Sequence, residues 1–296
     1  MFQLFIILNI CSKSYIIILI FFNFYDIICI RNGGIFVVLT DKDIIIERSK
    51  LKELPLIGHG DEGLVFNYHD KYAIKIFKDL YDEHYIKSRA KTKIRFLKLK
   101  EMMKESDSNL SLPLGFVSFD GENIVGIYSK LVKHKDLIDF DSLSKIKSAD
   151  ERARYLLMGD SILQRIHSKG FIVGDIKPDN ILINDADDVV YIDCDNYKYK
   201  NYLFDTIPTR AGFFYRLYDN SISYQDNDKL VYTVMALNIL TGDKDFNLRQ
   251  NHDGLRRAIR RLHLSDDIED YLKVIVSPSL DKPYVGPAIE KMLIKK

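Results

Sequence analysis

The stretch 171–193 constrains this chain more than any other. Three short apolar runs, 171–173, 181–183 and 189–192, alternate with polar segments, and the first polar segment is Gly174-Asp175-Ile176-Lys177-Pro178-Asp179-Asn180. Apolar runs of three or four residues bounded by Gly, Pro, Asn and Asp read as buried strands joined by loops. The strands hold the polar side chains, and the loops display them. Asp193 follows the last run directly, 18 residues after Asp175. A carboxylate, an ammonium, a carboxamide and a second carboxylate therefore stand at the ends of short strands.

Upstream, residues 54–57, 64–68 and 72–77 read as strands, with Gly58-His59-Gly60-Asp61-Glu62-Gly63 joining the first two and His69-Asp70-Lys71 turning between the last two. A charged helix is expected over 85–103, then two strands, 114–119 and 123–128, around the turn signal Asp120-Gly121. After Lys130 the pattern becomes helical. Residues 154–168 place Tyr155, Leu156, Ile162, Leu163 and Ile166 at helical spacing and stop at Gly170. The remainder, from about Asp226, reads as mostly helical. The class is α+β, strand-rich first and helix-rich after.

Composition sets the outer limits. At 296 residues, 47% hydrophobic and 29% charged, the chain suits one large domain or two packed lobes, with no need of disulfides. Its three cysteines, Cys11, Cys29 and Cys194, lack metal-ligand spacing, and a reduced, cytosolic setting fits them best. A formal net charge of +1 gives no global pull toward nucleic acid or an anionic membrane. The basic runs 87–100 and 256–261 read as solvated helix faces.

Residues 1–40 form an apolar N-terminal segment, and the soluble domain is expected over 41–296. The cleanest apolar run, 15–22, is much shorter than the ~20 residues a membrane span needs. Lengthening it brings in Lys13 or Asp26, each costly at the bilayer centre. Three readings fit: a weak membrane anchor, a buried extension, or an upstream stretch that is not natively translated. The balance lies against a true span.

The loop residues point to one kind of chemistry. Glycines let a backbone turn tightly and bring its N–H groups close to phosphate oxygens. The run from Gly58 to Gly63 joins two strands, unlike the strand-to-helix setting of dinucleotide-binding loops. Strand alternation puts Ala73 and Lys75 on one face, where small Ala73 leaves room for a flat base and Lys75 reaches toward phosphates. Phosphoryl transfer needs a carboxylate to take the acceptor proton, a cation near the transferred group, and oxygen ligands for Mg²⁺. Asp175, Lys177, and the pair Asn180 and Asp193 match those needs. Cys194, between two aspartates, is a poor nucleophile and reads as a packing residue.

With these residues in view, the chain from about 52 to 296 resembles the protein-kinase superfamily. Gly58–Gly63 with Ala73-Ile74-Lys75 resembles its nucleotide motifs. Ile166-His167-Ser168-Lys169-Gly170 followed by Asp175-Ile176-Lys177-Pro178-Asp179-Asn180 resembles the catalytic segment of Ser/Thr kinases. The Ile192-Asp193-Cys194-Asp195 magnesium segment is similar to that of divergent bacterial-type members. The resemblance implies a two-lobed protein-kinase-like fold, with a β-rich N-lobe over about 41–130, a helical C-lobe over about 131–296 and ATP in the cleft. It implies Asp175 as base, Lys177 as charge neutraliser, and Asn180 and Asp193 as Mg²⁺ ligands. ATP would be held by Ile57, Gly58, His59, Gly60, Gly63, Val65, Ala73 and Lys75, and by a hinge at Ser129, Lys130 and Leu131. Glu101, or less well Glu83, would pair with Lys75. The acceptor would be a Ser or Thr hydroxyl of a protein substrate.

The chain also departs from that pattern. Val173-Gly174 replaces the usual His-Arg, and Asp195 replaces a glycine. Phe214-Tyr215-Arg216-Leu217-Tyr218-Asp219 stands where Ala-Pro-Glu is usual, and Lys282 stands where an arginine pairs with that glutamate. With no arginine before Asp175, a phosphate on Thr206, Thr209 or Tyr215 lacks that partner. The segment is expected to be held by packing of Phe213 and Phe214 instead. Two rivals stay open: a small-molecule phosphotransferase of the aminoglycoside- or choline-kinase type, and a catalytically inactive nucleotide-binding scaffold.

Overall fold

A computed structural model describes residues 5–7, 17–19, 28–31, 34–37, 39–81, 89–133, 138–140, 142–143, 148–205, 223–241, 266–275 and 281–294. It is mixed α+β, and the chain divides into two compact units: Met1–Glu105 with Pro113–Leu131, and Ser106–Leu112 with Val132–Lys296.

The first unit holds β1 (Phe5–Ile7), β2 (Ile17–Leu19), β3 (Ile28–Arg31), β4 (Gly34–Val37), β5 (Ile44–Ile45), β6 (Leu56–His59), β7 (Gly63–Tyr68), β8 (Tyr72–Phe77), α1 (Lys78–Tyr81), α2 (Arg89–Met102), β9 (Pro113–Ser118) and β10 (Ile124–Lys130). The apolar N-terminal segment contributes two antiparallel pairs, β1 with β2 and β3 with β4. Among the described residues no helix is long and apolar enough to cross a membrane.

The main sheet has six strands in the order β5-β9-β10-β8-β7-β6. Central β8 is covered on both faces, so Ile74, Ile76 and Phe77 are buried and Lys75 is the one cation set among them. Phe66, Ile74, Ile76, Val117, Val125 and Tyr128 form the core under one face. The β7–β8 turn places His69 and Asp70 at positive φ, 54° and 52°, the conformation that matches strand twist in a tight hairpin. Asn67 closes it by accepting the Asp70 N–H at 3.0 Å. Asp43 fastens the chain entry. Its carboxylate accepts the Phe116 N–H and the Thr40 N–H, both at 2.6 Å.

The basic run expected to be a solvated face is not one over its described part. Arg95 is 6% exposed and gives two hydrogen bonds to the Asp79 carboxylate, at 3.0 and 3.1 Å. Its guanidinium also lies 4.6 Å from the Phe77 ring centroid. The planar, weakly hydrated guanidinium suits such a stacked, paired position. Lys98 is buried as well. Residues 256–261 lie outside the described residues.

The second unit holds β11 (Ile138–Asp139), α3 (Ala149–Ser168), β12 (Phe171–Ile172), β13 (Ile181–Ile183), β14 (Val189–Tyr191), β15 (Lys198–Tyr199), α4 (Tyr224–Thr241), α5 (Asp266–Ile275) and α6 (Gly286–Ile294). Helix α3 begins five residues before the expected 154, at Ala149, because Ser148 and Glu151 cap each other reciprocally. It ends as expected at Gly170, whose φ is +80°. Helix α4 is buried all round from Leu230 to Leu237, as a core helix must be. Tyr232 on α4 donates to the Leu156 carbonyl of α3 at 2.7 Å, and Tyr191 on β14 donates to the Gly159 carbonyl at 3.0 Å. Strands β11, β13 and β14 form one small antiparallel sheet, and β12 pairs with β15.

Candidate functional site

In the first unit, strand register gathers several of the expected nucleotide residues. Gly58 pairs with Val65, Val65 with Lys75, Asn67 with Ala73, and Ala73 with Ser129. Directly opposed residues share a sheet face, so Gly58, Val65, Ala73, Lys75 and Ser129 lie on one side, opposite the face of Ile74 and Ile76. Ile57 falls in the register shift between Leu56 and Gly58 and is half exposed. His59 and Gly60 are exposed at the hairpin tip. Lys130 ends β10, and Leu131 donates its N–H to the Lys71 carbonyl at 3.0 Å.

Gly63 is required by close packing. A Cβ there would stand 2.4 Å from the Ile76 carbonyl oxygen, so only glycine lets the loop descend onto β8. The hairpin tip is tied down further. Gly60 N–H bonds to the Gly63 carbonyl at 3.0 Å, and the Lys78 ammonium reaches the Gly60 carbonyl at 2.7 Å.

Among the described residues, a carboxylate that was not expected meets Lys75. Glu62 Oε2 lies 3.4 Å from Lys75 Nζ. Glu101, in the last turn of α2, faces Lys104, 2.6 Å away just past the end of the helix, and is corrected to a surface ion pair. A residue three along the chain stays within reach in the turn that ends the helix, whereas a strand partner depends on how the helix packs. Glu83 lies outside the described residues.

In the second unit one loop assembles the expected catalytic residues. Lys177 adopts extended backbone and Pro178 opens a single 3₁₀ turn, Pro178–Asn180. Proline suits that first position, since its missing N–H has no partner there anyway. The turn folds the side chains back on Asp175. Lys177 Nζ donates to Asp175 Oδ2 at 2.9 Å, and Asn180 Nδ2 donates to the Asp175 carbonyl at 3.1 Å and to Oδ2 at 3.3 Å. Asp175 and Lys177 are both partly open to solvent, with side chains 32% and 40% exposed.

Asp193 is set by the neighbouring strand end. Ile192 donates its N–H to the Asn180 carbonyl at 2.9 Å, so the residue before Asp193 is bonded to the 3₁₀ turn. Asp193 has left-handed backbone, φ 58° and ψ 39°, an uncommon and mildly costly conformation that redirects the chain into the turn Cys194–Asn196. Asn180 and Asp193 offer hard oxygen atoms of the kind Mg²⁺ prefers. Mg²⁺ keeps water and substrate phosphate as its remaining ligands, so two protein ligands fit it. Among the described residues no group of three or more His, Cys, Asp or Glu could hold a metal ion. Burial pushes the Cys194 thiol far up, with Tyr197 partly opposing and Asp193 and Asp195 adding to it, in keeping with a packing role.

Two residues organise this loop from outside it. Asp228, on α4 and 1% exposed, accepts the N–H groups of Val173 at 2.7 Å and Gly174 at 2.9 Å, and bonds His167 Nε2 at 3.0 Å. His167 Nδ1 meets the Tyr284 hydroxyl at 2.8 Å, which fits the structural role expected of His167. Phe204 is the other. Gly174 has φ +74°, and a Cβ on it would stand 2.4 Å from the Phe204 ring. Glycine therefore satisfies both backbone and packing at the residue before Asp175. Nothing local in the sequence marked Asp228 or Phe204; each acts across a long separation.

Lys282 is buried in this structure, its backbone N–H bonded to Asp226 Oδ1 at 3.1 Å. Burial lowers its ammonium pKa, and Asp226 partly offsets that. Thr206, Thr209, Arg210, Phe213, Phe214, Tyr215, Arg216 and Leu217 lie outside the described residues. No protein-family model matches this chain.

Proposed function

We propose that this chain catalyses ATP- and Mg²⁺-dependent phosphoryl transfer to Ser or Thr hydroxyls of a protein, on a two-lobed protein-kinase-like fold. The observation that carries the reading is the loop 175–180, in which Lys177 and Asn180 both bond the carboxylate of Asp175. Asp175 orients and deprotonates the acceptor hydroxyl, and Lys177 neutralises charge on the transferring group. Asn180 and Asp193 would hold Mg²⁺, which would supply electrostatic stabilisation of the charge developing on the transferred group. The Gly58–Gly63 hairpin and Lys75 orient the phosphates, and Ala73 and the 129–131 strand end receive the base. The strand-rich first unit corresponds to the N-lobe of such a fold, and the helical second unit to its C-lobe.

A second reading, transfer to a small hydroxyl compound, is favoured by Gly174. Its place before the base is occupied by backbone and the Phe204 ring, with no cationic side chain to receive a regulatory phosphate. Purified protein incubated with γ-labelled ATP and Mg²⁺, with and without a generic protein substrate, separates the readings. Label on protein supports the first. Turnover that needs added small hydroxyl compounds supports the second. Absence of nucleotide binding leaves an inactive scaffold and contradicts both.

A further inference from the structure

We propose that Tyr284 is a positioning residue for the loop that carries Asp175, acting on it through His167 and Asp228. Its effect on the reaction rests on the phosphoryl-transfer reading of this site. The Asp228 carboxylate only accepts hydrogen bonds. It takes the Val173 N–H at 2.7 Å, the Gly174 N–H at 2.9 Å and a bond from His167 Nε2 at 3.0 Å. His167 therefore carries a proton on Nε2. When the ring is neutral, that leaves Nδ1 as an acceptor, and the Tyr284 hydroxyl stands 2.8 Å from it. The Tyr284 oxygen in turn meets Gln225 Nε2 at 3.3 Å. The donors all point one way, from Gln225 through Tyr284 and His167 to Asp228, and Asp228 holds the two loop N–H groups just before Asp175.

Tyr284 lies between two fastened residues. Lys282 gives its N–H to Asp226 Oδ1 on α4 at 3.1 Å, and Val285 gives its N–H to Asp160 Oδ1 on α3 at 3.1 Å. The segment is thus tied to the same two helices that carry His167 and Asp228. Burial raises the Tyr284 phenol above its ordinary pKa, with Gln225 partly opposing and Asp160, Asp228 and Asp226 adding to it, so the hydroxyl keeps the proton it donates. Among the described residues, the further charges near the His167–Tyr284 pair are Asp160 on α3, and Asp226 and Lys229 on α4, the Lys229 ammonium 4.8 Å from the Tyr284 ring centroid. The side chains of His167 and Asp228 are each 1% exposed, so water has little access to replace a lost hydroxyl. Without that hydroxyl, Nδ1 becomes a buried acceptor with no donor. The imidazole relieves this by moving its proton or turning, and either change loosens the hold of Asp228 on the loop.

The test compares the full chain as wild type, Tyr284→Phe, His167→Gln and the double variant. Tyr284→Phe keeps the ring and removes only the hydroxyl. With ¹⁵N-labelled histidine at neutral pH, and the signal identified by its loss in His167→Gln, the wild type should carry its ring proton on Nε2 alone. Tyr284→Phe should shift the Nδ1 resonance. In transfer from γ-labelled ATP, Tyr284→Phe should lower kcat by about 10-fold, as a small misplacement of a reacting group does, while KM for MgATP stays within about twofold. In the His167→Gln background the same substitution should cost less than about twofold. A wild-type proton on Nδ1, or an unshifted Nδ1 resonance in Tyr284→Phe, breaks the chain and overturns the proposal. If the wild type transfers phosphate and Tyr284→Phe matches its kcat, the positioning role is wrong while the function reading stands. An equal kcat loss in both backgrounds means that Tyr284 bypasses His167, which also overturns the proposal. If the wild type transfers no phosphate, the function reading itself fails and the positioning role falls with it.

Discussion

The Asp228 carboxylate accepts the backbone N–H of Gly174 at 2.9 Å, one residue before Asp175 and 54 residues away in the chain. The position of Asp175 is thereby fixed by a buried helix rather than by its own loop alone. Asp228→Ala would leave the Val173 and Gly174 N–H groups and one His167 nitrogen without their acceptor. Each unsatisfied buried donor costs about 1–3 kcal/mol, so a loss of roughly 2–5 kcal/mol is expected. Urea denaturation measures it. Asp228→Asn keeps an acceptor oxygen and should lose less. Equal stability of Asp228→Ala and the wild type would show that these bonds carry no weight.

Arg95 and Glu101 lie on the same helix and should behave in opposite ways. Arg95→Ala removes one member of a buried ion pair and its two hydrogen bonds to Asp79, which typically costs about 3–5 kcal/mol. The double variant Arg95→Ala with Asp79→Ala should recover part of the loss. Glu101→Ala removes only an exposed i,i+3 pair, worth about 0.2–1 kcal/mol or less. Thermal melts of the four proteins check the order. A Glu101→Ala loss as large as that of Arg95→Ala would contradict it.

Short strands and turns were legible where local chemistry dictates them. Residues 72–77 and 181–183 form strands with the expected bounds, and Gly170 ends its helix, because alternation, burial and positive φ are local matters. The start of α3 lay hidden in Ser148-x-x-Glu151, a capping signal present in the sequence that the apolar periodicity did not include. The residues 175–180 were legible as a unit because a six-residue loop brings its own ends together. What serves Lys75 was not. Choosing among Glu62, Glu83 and Glu101 requires knowing which way the hairpin and the helix face, and only packing decides that. Asp228 was hidden for the same reason, since its three partners belong to segments more than 50 residues away.

Asp107 should shape the acid limb of stability. Burial would raise its pKa, but Arg165 and Lys169 bond its carboxylate at 2.9 Å each and the Asn109 N–H adds a third donor, holding it well below the usual carboxylate range. A carboxylate depressed in the folded state contributes stability above its unfolded pKa of about 4 and loses it as pH falls through the folded value. Stability should therefore decline as pH drops below about 4. Asp107→Asn should be less stable at pH 7 and show a shallower acid decline. Parallel pH profiles for the two proteins would refute this assignment.

The central claim is that Asp175 is the base for phosphoryl transfer, and initial rates with γ-labelled ATP, Mg²⁺ and an acceptor test it most directly. Asp175→Asn keeps the size of the side chain and a carbonyl to meet Lys177, so ATP binding should persist. Transfer should fall by about 10²–10⁴, the usual worth of a positioned base. Undiminished transfer by Asp175→Asn, with ATP binding intact, would contradict the assignment.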